Sequence, residues 1–106
     1  MTCYVLNTPV LTAYGDYRFT GPLTASQAAE RLTAGFVSAV GHGAAAVFLS
    51  RLLDLEVACN RITIAMQPGD TALVLRLITR LPEGMMLTAE EMTAVDFELG
   101  WLERMA

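Results

Sequence analysis

Thr71-Ala72-Leu73-Val74-Leu75-Arg76-Leu77-Ile78-Thr79-Arg80 is the stretch on which the fold turns. Side chains alternate between the two faces of a strand. Leu73, Leu75 and Leu77 therefore share one face, and Val74, Arg76, Ile78 and Arg80 share the other. Both faces are largely apolar, which places the strand in the middle of a sheet covered on both sides. Arg76 and Arg80 on one such face need a partner, either acidic neighbours or a shared anion. Immediately upstream, Pro68-Gly69-Asp70 is a turn signal, and 61–67 before it reads as another strand. The sequence thus predicts a hairpin of 61–67 with 71–80.

Working outward, Cys3-Tyr4-Val5-Leu6 is a short buried strand that ends at Asn7, where Thr8-Pro9 breaks the ladder. Gly15-Asp16 turns the chain into Tyr17-Arg18-Phe19-Thr20, a second short strand, which Gly21-Pro22 punctuates. Thr24-Ala25-Ser26-Gln27 is a capping box. It opens a helix over about 25–34 with Ala28, Ala29 and Leu32 inward and Gly35 as its stop. Residues 36–40 are extended or turn. A second helix over about 42–53 is apolar nearly all round, so it is expected to be buried on most sides.

On the downstream side, Leu81-Pro82-Glu83-Gly84 is a turn, and Thr88-Ala89-Glu90-Glu91 caps a short helix to about Ala94. Residues 95–103 form a last strand, with Phe97, Leu99 and Trp101 on one side and Glu98, Gly100 and Leu102 on the other. The order β-β-α-α-β-β-α-β predicts one α+β domain over 1–106, a mixed sheet of about five strands with helices packed on it.

Composition narrows the function classes. The chain has 106 residues, 54% hydrophobic, and a formal charge of −4. Such a charge argues against broad binding to a long nucleic-acid backbone. All 7 basic residues are arginine, the better bidentate partner for phosphate, so a compact anion site is compatible with an acidic chain. No apolar run reaches the roughly 18 residues of a membrane span, and 1–6 is too short for a signal peptide. The expectation is a cytoplasmic protein with no membrane contact. The apolar excess suits a doubly covered sheet or a homodimer interface. Cys3 and Cys59 stand in no metal-ligand spacing, and no metal or cofactor is expected.

His42 is the only histidine, set between Gly41 and Gly43 where the second helix begins. Histidine is the side chain whose ordinary titration lies nearest neutral pH. The first amides of a helix lack internal partners and carry partial positive charge, which suits an anion. Glycines on either side leave room for a phosphate. The corner reads either as a simple cap or as an anion site holding a proton donor. Arg80 at a strand end, followed by Glu83 in the turn, reads either as a surface salt bridge or as a phosphate clamp with a general base or orienting acceptor. Asn7 is a third polar group at a strand end.

Several of these segments together resemble a known family. They are Leu6-Asn7-Thr8-Pro9, Gly35-Phe36-Val37-Ser38-Ala39-Val40-Gly41-His42, Asn60-Arg61-Ile62, and Thr79-Arg80-Leu81-Pro82-Glu83-Gly84 followed by Leu87-Thr88-Ala89-Glu90-Glu91. In this order and separation they are similar to the viral and bacterial ring nucleases, whose viral members are type III anti-CRISPR proteins. The resemblance covers essentially the whole chain. It implies a compact α+β homodimer whose pocket, across the two-fold axis, binds cyclic tetra-adenylate. It also implies metal-independent cleavage by in-line attack of a ribose 2′-hydroxyl, giving linear oligoadenylates. On the matching positions, His42 would be the general acid, Arg80 would stabilise the phosphate and Glu83 would orient or assist. Asn7 would help position the ligand. From the residues themselves, Gly41 and Gly43 at the helix start and Arg76 on the strand face are the further candidate ligand contacts.

This chemistry needs no nucleophile from the protein, only alignment, charge stabilisation and a proton donor. Two positions depart from the family pattern. Gly43-Ala44-Ala45-Ala46 offers no hydroxyl after the histidine, and Met85 stands where a lysine is common. Two other readings follow: a sponge that binds the ring without cutting it, and a structural or regulatory protein that uses its apolar surface for contacts.

Overall fold

The computed structural model describes residues 1–11, 13–77 and 96–106. Its elements are β1 (Cys3–Leu6), β2 (Tyr17–Leu23), α1 (Ala25–Arg31), β3 (Val37–Ser38), α2 (Gly43–Leu53), β4 (Thr71–Leu77) and β5 (Phe97–Arg104). The predicted α+β architecture is present: a mixed sheet of five strands in the order β2-β5-β4-β1-β3. β4 is central, parallel to β1 and antiparallel to β5. β1 is also parallel to β3, and β2 is antiparallel to β5.

The two faces of β4 divide as its alternation requires. Leu73 and Leu75 join Val5, Leu99 and Trp101 in a core built with α1 and α2, including Ala28, Leu32, Phe48 and Leu49. Val74 and Ala72 face the other way and pack with Leu6, Met66 and Leu102. The Phe48 and Phe97 rings meet edge to face at 5.0 Å in the helical layer. The Arg31 guanidinium lies 5.0 Å above the Trp101 ring. Helix α1 starts on the predicted capping box: Thr24 Oγ1 accepts the Gln27 amide at 3.1 Å, and Gln27 Oε1 accepts the Thr24 amide at 2.9 Å.

The hairpin of 61–67 with 71–80 is not formed. The Pro68-Gly69-Asp70 turn exists, with the Asp70 amide donating to Gln67 O at 2.9 Å, but 61–67 pairs with no strand among the described residues. Both edges of β4 are already taken by β1 and β5. The arm instead lies over the non-helical face of the sheet, where Met66 is fully buried. Arg104 fixes it there by donating to the Met66 carbonyl.

Other boundaries shift. β2 runs on through Gly21-Pro22, with a register shift against β5 between Thr20 and Leu23. The segment read as extended or turn contains a strand, β3, so a strand separates the two helices. The element order among the described residues is therefore β-β-α-β-α-β-β. Helix α1 ends at Arg31, earlier than predicted. The predicted capping box at Thr88 and the helix after it lie outside the described residues.

Beyond α2, the chain rounds the β3 edge. Val40 and Cys59 form a parallel bridge, and the Asn60 amide donates to Val40 O at 2.8 Å. Ser38 Oγ donates to Ala58 O at 2.6 Å, and Asn60 Nδ2 donates to Ser38 O at 2.7 Å. These contacts deliver Arg61 to the carboxyl end of β3. No described helix is long and apolar enough to cross a membrane.

Candidate functional site

Parallel strands β1, β3 and β4 end on the same side of the sheet. Side chains that follow those ends converge there, the usual place for a ligand in sheets with parallel strands. Asn7 follows β1, Gly41-His42-Gly43 follows β3, and Arg76 lies near the end of β4.

His42 is the N-cap of α2. Its extended backbone (φ −129°, ψ 121°) carries the chain out of β3 and into the helix. His42 O accepts the Ala46 amide at 3.0 Å, and its ring Nδ1 accepts the Ala45 amide at 3.3 Å. One of the orphan donors of the helix is thereby satisfied by the imidazole itself. With Nδ1 accepting, the neutral ring holds its hydrogen on Nε2. The ring is half-buried.

The peptide groups flanking Gly41 are both held. Asn7 Oδ1 accepts the Gly41 amide at 3.3 Å. Arg61 donates to Gly41 O from Nε at 3.2 Å and from Nη2 at 3.0 Å. The sequence reading gave Arg61 no role, although it lies in the Asn60-Arg61-Ile62 segment. The missing information was spatial: only the passage of 57–60 along β3 brings residue 61 beside residue 41.

The two glycines differ. A Cβ on Gly43 would meet nothing within 4 Å, so its surroundings are open, as expected. A Cβ on Gly41 would meet the Arg61 stem, with Cγ at 3.5 Å. The space beside Gly41 is occupied by arginine rather than left free for a phosphate.

A cavity of about 320 Å³ adjoins this corner, lined by Asn7, Thr8 and Val10 with Ala39, Ile62 and Ile64 among its other walls. It reaches the corner through Asn7. His42 is not in its wall.

Arg76 is at the expected end of the sheet but has a carboxylate partner. Its Nη1 lies 2.7 Å from Glu98 Oε1, directly across the β4–β5 ladder, and both side chains are partly exposed. Of the two alternatives for this arginine, the acidic neighbour is the one observed. Together they border a second cavity of about 330 Å³ with Phe19, Gly21 and Gly100. Arg80 and Glu83 lie outside the described residues. Among the described residues, no three His, Cys, Asp or Glu side chains converge in a way that suits a metal ion.

The shifted titrations lie away from this corner. Backbone amides of Thr2 and Gln67 donate to the Asp70 carboxylate and hold it below its ordinary value, against the opposing effect of burial. Burial pushes the Cys3 thiol up, partly offset by a hydrogen bond with the Thr71 side chain. Cys3 and Cys59 are both free thiols.

Residues 3–99 match the STIV B116-like family. The chain belongs to that family. STIV B116-like relatives include the uncharacterized protein ORF117 of Acidianus two-tailed virus, 44% identical over 70 residues. That match covers 65% of this chain and 60% of ORF117, so the chain spans less than two thirds of that relative. Uncharacterized protein 26 of Sulfolobus islandicus filamentous virus is 42% identical over 82 residues, covering 76% of this chain and 69% of that protein. The fold is similar to that of B116 of Sulfolobus turreted icosahedral virus, with a TM-score of 0.73 over 98% of this chain and all of that one. At 18% identity, that likeness establishes the fold alone.

Proposed function

We propose that this STIV B116-like protein is a ring nuclease that binds cyclic tetra-adenylate and opens it without a metal ion, acting as a cytoplasmic homodimer. The observation that carries the reading is the convergence of Asn7, the Gly41-His42-Gly43 corner and Arg61 at the carboxyl end of the parallel strands. It is supported by the Arg80-Leu81-Pro82-Glu83-Gly84 segment that follows β4 in sequence.

In this reading the substrate supplies its own nucleophile. A ribose 2′-oxygen attacks the adjacent phosphorus in line with the P–O5′ bond. The P–O2′ bond forms and closes a cyclic phosphate, the P–O5′ bond breaks, and the leaving 5′-oxygen takes a proton from the His42 ring. The 2′-hydroxyl proton passes to water. Arg80 offsets the charge that builds on the phosphoryl oxygens, and Glu83 orients it.

The proton-donating form of His42 is the imidazolium. Its Nδ1 carries hydrogen and cannot accept the Ala45 amide. Capping α2 and serving as acid are therefore alternative states of one ring.

The homodimer finds support in an exposed apolar face on the side of the sheet away from the helices. A groove of about 310 Å³ there is lined by Pro9, Val10, Leu11, Tyr17 and Phe19 above Val74 and Leu102. Leu11 is 63% and Phe19 47% exposed. Large contiguous apolar surface of this kind marks contact sites.

The test is incubation with cyclic tetra-adenylate in the presence of EDTA. His42→Ala is expected to keep binding and lose roughly a hundredfold or more in rate, the usual effect of removing a general acid. Wild-type turnover by the variant, or inhibition by the chelator, would defeat the mechanism.

A second reading is a sponge that holds the ring intact. The absence of any hydroxyl in Gly43-Ala44-Ala45-Ala46 favours it. Single-turnover reactions with protein in excess separate the two: tight binding with no product would leave the sponge.

A further inference from the structure

We infer that Arg61 is the positioning residue of the His42 corner, acting on the histidine through the Gly41 carbonyl. This rests on the ring-nuclease reading for its catalytic consequence, but its geometry stands by itself. Nε and Nη2 of one guanidinium both donate to Gly41 O, at 3.2 and 3.0 Å. Two donors from a planar fork fix the direction of the acceptor as well as its distance, which a single ammonium does not. On the amide side of the same residue, Asn7 Oδ1 takes the Gly41 hydrogen at 3.3 Å. Gly41 is thereby held at both of its peptide groups, from β1 on one side and from the segment after α2 on the other. His42 begins where the Gly41 carbonyl ends, so the clamp sets the plane of the peptide that enters the N-cap. In the neutral ring the Ala45 amide also holds Nδ1; in the imidazolium that bond is absent, and the clamped peptide alone sets where the side chain starts.

Arg61 is itself exposed, whereas what holds the arm in place is buried behind it. The Asn60 amide and side chain bond to Val40 O and Ser38 O, and Met66 is in the core. Exposed hydrogen bonds add little to global stability. Removing the guanidinium is therefore expected to leave the fold standing and to loosen one corner of it. The Arg61 stem lies alongside Gly41, at ordinary contact distance (3.5 Å) from where a Cβ would stand.

The experiment compares wild type, Arg61→Ala and Arg61→Lys by two readouts. The first is the ¹H–¹⁵N spectrum of Ala45 and the ¹⁵N shifts of the His42 ring, with no nucleotide present. Positioning predicts that both move in Arg61→Ala while resonances of α1 stay in place. The second is single-turnover cleavage of cyclic tetra-adenylate together with its Kd. The cleavage step is expected to slow by roughly tenfold to a hundredfold, the scale of a small misplacement of a reacting group. Kd should change by no more than about threefold, within roughly 0.7 kcal/mol, and lysine should restore only part of the rate. A tenfold weaker Kd with an unchanged cleavage step would make Arg61 a ligand contact and overturn the inference. Unmoved Ala45 and His42 resonances would overturn it too. If the wild-type protein cleaves no ring, the ring-nuclease reading fails, and the spectra alone still decide whether Arg61 holds the corner.

Discussion

A single atom carries two duties at His42. Nδ1 accepts the Ala45 amide and caps α2. His42→Ala removes that acceptor and is expected to quicken amide exchange at Ala45, whereas His42→Asn keeps a cap and should leave the Ala45 amide protected. Equal exchange at Ala45 in the wild type and His42→Ala would contradict the capping role. The corner was only partly legible in the sequence. Glycine on each side of a histidine signalled open space, and at Gly43 it is open. At Gly41 it is filled by an arginine 20 positions away, and no local pattern encodes that contact. The Arg76–Glu98 pair was legible in kind but not in identity. The strand demanded a partner for the arginine, and only the β4–β5 register names Glu98.

Elements show where local sequence is informative and where it is not. The alternation in β4 and β5 assigned Leu73, Leu75, Phe97, Leu99 and Trp101 to one face and Val74 and Leu102 to the other, as observed, because burial on two faces leaves a period-2 record. The Thr24–Gln27 box marked the start of α1 because capping is a contact between near neighbours. Thr24→Ala should cost about 1 kcal/mol, read as a lower denaturant midpoint with an unchanged slope. The hairpin failed for the opposite reason. A Pro-Gly-Asp turn says that the chain reverses, not that both arms pair. What decides pairing is β1, whose parallel ladder to β4 joins Cys3 to Thr71 and leaves no signature near residue 71.

The turn has its own chemistry. Asp70 is 5% exposed and accepts the Thr2 and Gln67 amides at 2.8 and 2.9 Å. Since its folded value is lowered, its contribution is complete above the ordinary aspartate range near about 4 and is lost as pH falls through the lowered value. Asp70→Asn should cost about 2 kcal/mol at neutral pH and flatten the acid limb of the stability profile. An acid limb unchanged by the substitution would place its cause elsewhere.

At the scale of the whole molecule the two sides of the sheet are unequal. The helices cover one side. Among the described residues the other carries the extended arm of 61–67, and Val10, Leu11, Phe19 and Ile62 are exposed there. This asymmetry is where the high hydrophobic content of the chain goes, and it is the ground for expecting a homodimer. Leu11→Glu should shift the protein to monomer in light scattering while its thermal unfolding stays near that of the wild type. A dimer that survives the substitution would move the interface to another face.

The strand order carries a kinetic consequence. Among the described residues β2, the second strand in sequence, is paired with β5 alone, and β1 meets the short β3 at residue 37 but its longer parallel partner β4 only at residue 71 and beyond. Close neighbours along the chain build α1 and α2 but, among the described residues, hardly any of the sheet. Loop closure over most of the chain precedes the pairings that reward it, which places this domain among slow folders for its size. During synthesis β2 must wait for β5 to leave the ribosome, its apolar Phe19 and Leu23 unshielded until then, so aggregation competes with folding chiefly in the nascent chain rather than in the finished one.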